Sequence, residues 1–300
     1  MQPTAEQQKT IDKKLSFVAP CKKAVQENDS IERSLKRVAV LNDISCFGKC
    51  SLTVALPVIS ALGVEAVPIP TALLSTHTGG FKGYTKTVLT RQMQGIINHF
   101  KQLDLKFDCI YTGYFCSKKQ IEIAEEFIND FKTEQTTVIV DPVMGDGGEL
   151  YAGFGKSEVK ALGRLCEKAD FITPNFTEAA FLAGEDGTEN TDSSKLLKKL
   201  PGRNVIITGV PFEDEIGYHA IINGEEYIKK SQYIGGVKHG CGDVFASALA
   251  ANIAKGKDGA ESFFNAAEYC SSCVTETGKL TDHFYGLAFE KMLGKKWDTD

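Results

Sequence analysis

The run His239-Gly240-Cys241-Gly242-Asp243, followed at once by VFASALAANIA, sets two glycines, a carboxylate and the start of an apolar helix side by side. Free N–H groups at a helix start carry a partial positive charge and bind phosphate oxygens. A carboxylate in the first turn is favoured by the helix dipole and can take a proton from an attacking hydroxyl. The same letters also describe an ordinary glycine loop with aspartate at a helix start. The choice between the two rests on what the rest of the chain brings to this turn.

From Arg37 onward apolar strand patterns alternate with helical ones. RVAVLND is followed by a helix that Gly63 stops, VEAVPIPTAL by the loop STHTGGFKG and the helix TVLTRQMQGIINHFKQL. FDCIYTGY, TTVIVDPVMGD, FITPN and NVIITGV read as further strands, with helices in SKKQIEIAEEFINDFKTE, SEVKALGRLCEKA and TEAAFLAG between them. GYHAIINGEEYIKKS reads as a hairpin turning at Asn223-Gly224, and the last third as helices ending in a short terminal one. Such alternation predicts an α/β fold, a mainly parallel central sheet with helices on both faces. Ligands gather at the carboxyl ends of strands in such sheets. The polar residues interrupting the apolar pattern fall there: Asn42-Asp43, Thr112-Gly113-Tyr114, Asp141-Pro142, Pro174-Asn175 and Thr208-Gly209.

A chain of 300 residues, 42% hydrophobic and 24% charged, has the composition of a globular protein with a large core. Its net charge of −5 and lack of a dense basic block argue against a nucleic-acid surface, and no run of about 18 apolar residues suits a membrane span. Nine cysteines without framework spacing fit a reducing compartment, the cytoplasm. Residues 1–36 are polar and mixed in charge, with acids at Glu6, Asp12, Glu27, Asp29 and Glu32 that do not suit a targeting presequence. They read as an N-terminal extension with Leu15, Phe17 and Val18 as its apolar points, and 37–300 as one domain.

DPVMGD (141–146), TPNFTEA (173–179), the strand end ITG (207–209) and HGCGD (239–243), in this order, resemble the ribokinase-type ATP-dependent kinases of vitamins and sugars. NDISCFGK, STHTGGF, YTGY and DPVMGDGGELY draw the resemblance toward the pyridoxal kinases, over about residues 37–290. The short link after the first strand leaves no room for a large sugar-kinase lid. The resemblance implies a catalytic base at Asp243, with the N–H groups of Gly240, Cys241 and Gly242 facing the transferring phosphoryl group. It implies Mg²⁺ organised by Asp141, Asp146 and Glu178, directly or through waters, and leaves room for K⁺. Asp141, Tyr151, Thr173, Asn175, Thr208 and Gly209 fall to the nucleotide side, and Asp43, Ser45, His77, Thr78 and Tyr114 to the substrate side. It further implies a homodimer with ATP and a B6 vitamer as its small-molecule partners.

Several of these residues have purely structural explanations. Asp146-Gly147-Gly148 is a turn pattern, Asn175 and Glu178 have capping-box spacing, and His99, His219 and His283 have no chemical context. Cys270 and Cys273 form a lone CxxC in a helical pattern and read as buried thiols, while pairing of Cys46 with Cys50 stays open. The chain also departs from the resemblance twice. Cys241 stands where Thr or Ala is usual, which makes the turn a place where oxidation would matter. Asp43 stands near a position usually held by serine, which suggests pairing with the aminomethyl cation of pyridoxamine. Rival readings are a hydroxymethylpyrimidine kinase, disfavoured because such enzymes commonly have cysteine at the Asp243 position, a sugar kinase, and a non-catalytic vitamin-binding or regulatory protein.

Overall fold

Short apolar runs bounded by polar residues become strands of one nine-stranded sheet. A computed structural model describes residues 35–185, 192–235 and 239–295; the N-terminal extension expected at 1–36 lies almost wholly outside these. The strands are β1 (Arg37–Phe47), β2 (Glu65–Thr76), β3 (Lys86–Val88), β4 (Cys109–Thr112), β5 (Thr137–Val140), β8 (Phe171–Ile172), β9 (Asn204–Phe212), β10 (Glu215–Ile222) and β11 (Glu225–Gln232). A separate two-stranded ribbon joins β6 (Gly145–Asp146) to β7 (Glu149–Leu150). β2, β1, β4, β5, β8 and β9 are parallel neighbours, so their carboxyl ends share one edge.

The central strands are buried on both faces, which is why they read as continuous apolar runs. Val38 and Val40 of β1 point into one core, and Ala39 and Leu41 into the other. The first core lies beneath α1 (Leu52–Ala61), α7 (Cys241–Ala254) and α8 (Gly259–Gly278). The second lies beneath α2 (Thr90–Gln102), α3 (Lys118–Phe131), α4 (Lys156–Glu167), α5 (Phe176–Leu182) and α6 (Ser193–Leu197). α7 packs against α1, α8 and the sheet, so it buries ten of its 14 residues and offers no polar face. Phe245 stacks on Tyr218 with ring centroids 4.7 Å apart and meets Phe263 edge-on.

The structure departs from the sequence expectation at the sheet's margins. The β10–β11 hairpin turns at Asn223-Gly224 as expected, but β3 runs antiparallel at the other edge, and the short pieces β3, β6, β7 and α6 carry too little apolar pattern to be read in advance. The FITPN strand keeps only Phe171 and Ile172, because Pro174 cannot donate to a ladder. The expected terminal helix is a single 3₁₀ turn, Phe289–Lys291.

Because Phe245 anchors the helix that starts at the glycine turn, Phe245→Ala should lower stability by about 3–5 kcal/mol in urea unfolding. A loss below about 1 kcal/mol would mean that α7 is not held by this contact.

Candidate active site

Backbone hydrogen bonds carry the parallel ladder past the strand ends and bring the polar residues level. Gly113 N donates to Leu41 O (2.8 Å), Asp141 N to Thr112 O (2.9 Å), Thr173 N to Val140 O (3.0 Å) and Thr208 N to Pro174 O (2.9 Å). α7 begins opposite this edge. Gly240 caps it in a left-handed conformation (φ 84°), and a Cβ there would lie 2.1 Å from the Lys49 carbonyl oxygen, so only glycine fits. Helix geometry leaves the first-turn N–H groups of Cys241, Gly242 and Asp243 without helical acceptors. The Cys241 side chain is half-buried beside Cys270, whose Sγ lies 3.5 Å from the Cys241 carbonyl oxygen. The turn therefore presents backbone rather than thiol, and cysteine is accommodated.

Asp243, partly exposed, is fixed by two groups the sequence did not single out as functional. Asn42 Nδ2 donates to its Oδ1 (3.3 Å), and the Ser51 backbone N–H supports its charged form. Burial nevertheless pushes its carboxyl up to about 7, with Asp43 adding like-charge repulsion. The Asn42 carbonyl accepts from the N–H groups of Asp43 (3.0 Å) and Tyr114 (2.8 Å), so one amide ties β1, β4 and α7 together. A Cβ on Gly113 would come within 2.3 Å of that amide, which accounts for glycine before Tyr114.

The register between β1 and β2 shifts between Asn42 and Ile44, and Asp43 lies in this irregular step. Its Oδ1 accepts from Ser51 Oγ (2.6 Å) and its Oδ2 from Ser45 Oγ (3.1 Å), and both Asp43 and Ser45 are buried. The carboxylate orders both serines, and the pairing with a substrate ammonium expected for it would use the acceptor sites they leave. Burial raises the Asp43 pKa, opposed by Ser51, Ser45 and the nearby Lys86 ammonium.

On the other side Asp141 is buried and raised well above the carboxylate range by burial, then by repulsion from Glu178 and Asp243. Glu178 is raised as well, chiefly by burial. Its two oxygens accept from Met144 N (3.0 Å) and Asn175 N (2.9 Å), while Asn175 Oδ1 caps Glu178 N and Asn175 Nδ2 holds Gly145 O. The capping-box reading of this pair is thus realised, and it pins the β6–β7 ribbon to α5. Asp146, exposed on that ribbon, binds its neighbour Gly147 N. Among the described residues no three His, Cys, Asp or Glu side chains converge to hold a metal directly. Two buried carboxyls, Asp141 and Glu178, with raised pKa values still suit a divalent cation that keeps waters and takes oxygens from a phosphate. Tyr151 stands beside this group, its phenol raised by burial and by the charges of Glu178, Asp146 and Asp243.

Over the cleft His77 Nε2 donates to Tyr285 O (2.9 Å), and its ring lies 4.8 Å from that of His239 and 4.9 Å from that of Phe81. Burial, then repulsion from His77, lowers the His239 pKa, and the two rings pack against each other. Thr78 is exposed in the same loop. Of the remaining sequence candidates, Thr173 follows β8 as expected, whereas Thr208 and Gly209, expected at a strand end, lie inside β9, which runs on to Phe212 because it pairs antiparallel with β10 beyond the end of its parallel pairing with β8. His219, remote from the cleft, is spent on Ser193 and Glu226. Lys86 was not anticipated. Its Nζ donates to Tyr114 Oη (2.8 Å), and a lone lysine in a polar stretch gave no signal. Cys46 and Cys50 are free thiols, as are Cys270 and Cys273.

Removing the Asn42 amide takes a donor from the charged form of Asp243. In Asn42→Ala the Asp243 carboxyl, followed by NMR titration, should titrate above its wild-type midpoint; an unmoved midpoint would show that Asn42 does not support the charge.

Relatives with this architecture are numerous. The chain is 28% identical over 228 residues to a hydroxymethylpyrimidine/phosphomethylpyrimidine kinase of Bacillus subtilis, covering 73% of this chain and 80% of that one. It is 29% identical over 254 residues to a chloroplastic thiamine biosynthetic bifunctional enzyme of Arabidopsis thaliana, covering 77% of this chain and about half (47%) of that longer protein. A crystal structure from Bacteroides thetaiotaomicron, described as a phosphomethylpyrimidine kinase, superposes with a TM-score of 0.82 at 33% identity over 87% of this chain and 94% of that one, and another crystal form of it contains pyridoxal. A pyridoxal kinase from Lactobacillus plantarum gives 0.80 at 31% identity over 87% and 96%. The sequence model of the phosphomethylpyrimidine kinase family matches residues 53–287. The chain belongs to this family of ribokinase-like phosphotransferases.

Proposed function

We propose that the protein transfers the γ-phosphoryl group of ATP to the 5′-hydroxymethyl group of a B6 vitamer: pyridoxal, pyridoxamine or pyridoxine. The observation that carries this is the juxtaposition of a glycine-turn helix start with an aspartate whose pKa is pushed up to about 7, close to the ambient pH at which a general base works best. Relatives of the same family are named for both pyridine and pyrimidine alcohols. An aspartate at position 243 rather than cysteine, the Tyr114 ring at the cleft, and pyridoxal in a related crystal favour the pyridine.

Ionised Asp243 takes the proton of the hydroxymethyl oxygen as that oxygen attacks phosphorus in line with the leaving group. The N–H groups of the 240–243 turn stabilise the charge on the moving phosphoryl oxygens. Thr173, Asn175, Thr208, Gly209 and Tyr151 line the nucleotide side, with Asn175 acting by holding the β6–β7 ribbon. Asp141, Asp146 and Glu178 would hold Mg²⁺ through its waters, and that ion supplies charge neutralisation to the phosphates when bound. Asn42 and Ser51 orient the base, and His77 with His239 shields the cleft from water. Cytoplasmic location and a homodimer follow from the same reading; among the described residues no helix is long and apolar enough to cross a membrane.

The testing experiment is ATP-dependent turnover of pyridoxal, pyridoxamine, pyridoxine, hydroxymethylpyrimidine and ribose, with Asp243→Asn in parallel. B6 vitamers should be the best substrates, and the variant should lose about 10²–10⁴-fold in rate. Preference for the pyrimidine would overturn the substrate, and no transfer at all would leave a binding protein. In the wild type, kcat/KM should fall as pH drops through about 7, because the raised carboxyl becomes protonated and stops acting as a base. A profile flat from pH 5 to 8 would remove Asp243 from that role.

A further inference from the structure

The ring end of the cleft holds a cation that the phosphate chemistry does not use. Lys86 sits on the edge strand β3, which pairs with β2 through Leu74, and is itself exposed. Its Nζ reaches the Tyr114 hydroxyl at 2.8 Å and stands 5.1 Å from the centre of the Tyr114 ring. Tyr114 in turn hangs from Asn42, the amide that holds Asp243. A side chain placed on this relay is therefore set in register with the proton-transfer group. The Lys86 charge also acts on buried Asp43, whose oxygens accept from the Ser51 and Ser45 hydroxyls, while the Lys86 Nζ itself donates to Tyr114. An ammonium with three N–H groups, held at the edge of an aromatic ring, is fitted to meet an acceptor on a flat ligand lying against that ring.

The two heteroaromatic alcohols under discussion differ in this respect. A B6 vitamer carries an acidic ring hydroxyl, ionised at neutral pH while the ring nitrogen takes a proton. The hydroxymethylpyrimidine carries an amino group and no acidic hydroxyl. An ammonium rewards the first with a charge-assisted hydrogen bond and meets in the second only neutral nitrogen or competing donors.

We infer that Lys86 is a specificity-determining residue that binds the ionised ring hydroxyl of the substrate and thereby selects a 3-hydroxypyridine over an aminopyrimidine. The inference rests on the kinase reading above and names the substrate class at the same site. Lys86 does not touch the reacting atoms, so its effect belongs to binding.

The test is a substrate-by-variant cycle: wild type, Lys86→Met and Lys86→Arg against pyridoxine, 3-deoxypyridoxine and hydroxymethylpyrimidine. Lys86→Met should lower kcat/KM for pyridoxine by about 10- to 100-fold, mostly through KM, as loss of one charge-assisted hydrogen bond does. It should change turnover of the deoxy analogue and the pyrimidine by less than about threefold, the scale of a lost surface contact. Lys86→Arg should recover most of the loss. Removing the substrate hydroxyl should cost wild type about as much as Lys86→Met costs pyridoxine, and cost the variant little more. Equal losses on all three substrates, or a deoxy penalty undiminished in Lys86→Met, would overturn the assignment. Wild-type turnover of the deoxy analogue equal to that of pyridoxine would overturn it without any variant. Failure of wild type to phosphorylate any B6 vitamer would instead overturn the kinase reading itself.

Discussion

Asp43, Asp141, Glu178 and Asp243 share one cleft of low dielectric, and burial raises the pKa of all four. Ionised carboxylates so placed repel one another and lose solvation, a combination a fold tolerates only where rigid donors hold them. The chain supplies such donors from its backbone and from short side chains. Ser51 serves two of them, its hydroxyl binding Asp43 and its N–H supporting Asp243, and it adopts a positive φ (59°) to do so. Left-handed backbone at a residue other than glycine costs of order 1–3 kcal/mol and is concentrated at functional sites.

This arrangement explains why α7 is so thoroughly buried. A helix start that binds an anion must not yield when charge moves, and no surface helix with one apolar stripe would hold it as firmly. Packing on three sides by α1, α8 and the sheet anchors the helix in the core from Val244 on, while the turn at its start stays partly exposed. The parallel sheet performs the complementary task. Because hydrogen bonds between parallel strands are evenly spaced, residues one step beyond each strand end arrive at one level, and five separate loops can meet one substrate.

Much of this was legible in the amino-acid order because it depends on local pattern. The strand end at Asp141, the glycine turn at 240–243 and the hairpin at Asn223-Gly224 are each set within a few residues. The relay was not, for a physical reason. Asn42 acts on Tyr114 and Asp243, 72 and 201 residues away, and nothing near position 42 announces either contact. Lys86 and Ser51 were invisible in the same way: one sits on a three-residue edge strand with no apolar pattern, the other before a helix, where serine is ordinary. Asp43 was noticed but its partners were not, since Ser45 and Ser51 come together only after the β1–β2 register shifts.

The cleft also divides by function. On the proposed reading, the half made by α7, Asp141 and the residues following β8 would meet the phosphates, a task common to ATP-dependent kinases that carries no information about the acceptor. The other half, made by the end of β1, the β2–β3 edge and Tyr114, meets the proposed base only through the Asn42 amide. On the proposed reading, substitutions at its outer edge would change which ring fits while leaving that amide in place. The edge strand β3 suits such variation because its outer side has no neighbouring strand to accommodate. A side chain on it can be exchanged at little cost to the core, whereas Asn42 and Gly113, wedged between strands, cannot. On the proposed reading, substrate choice would reside at the most replaceable margin of the sheet, and catalysis at its least replaceable centre.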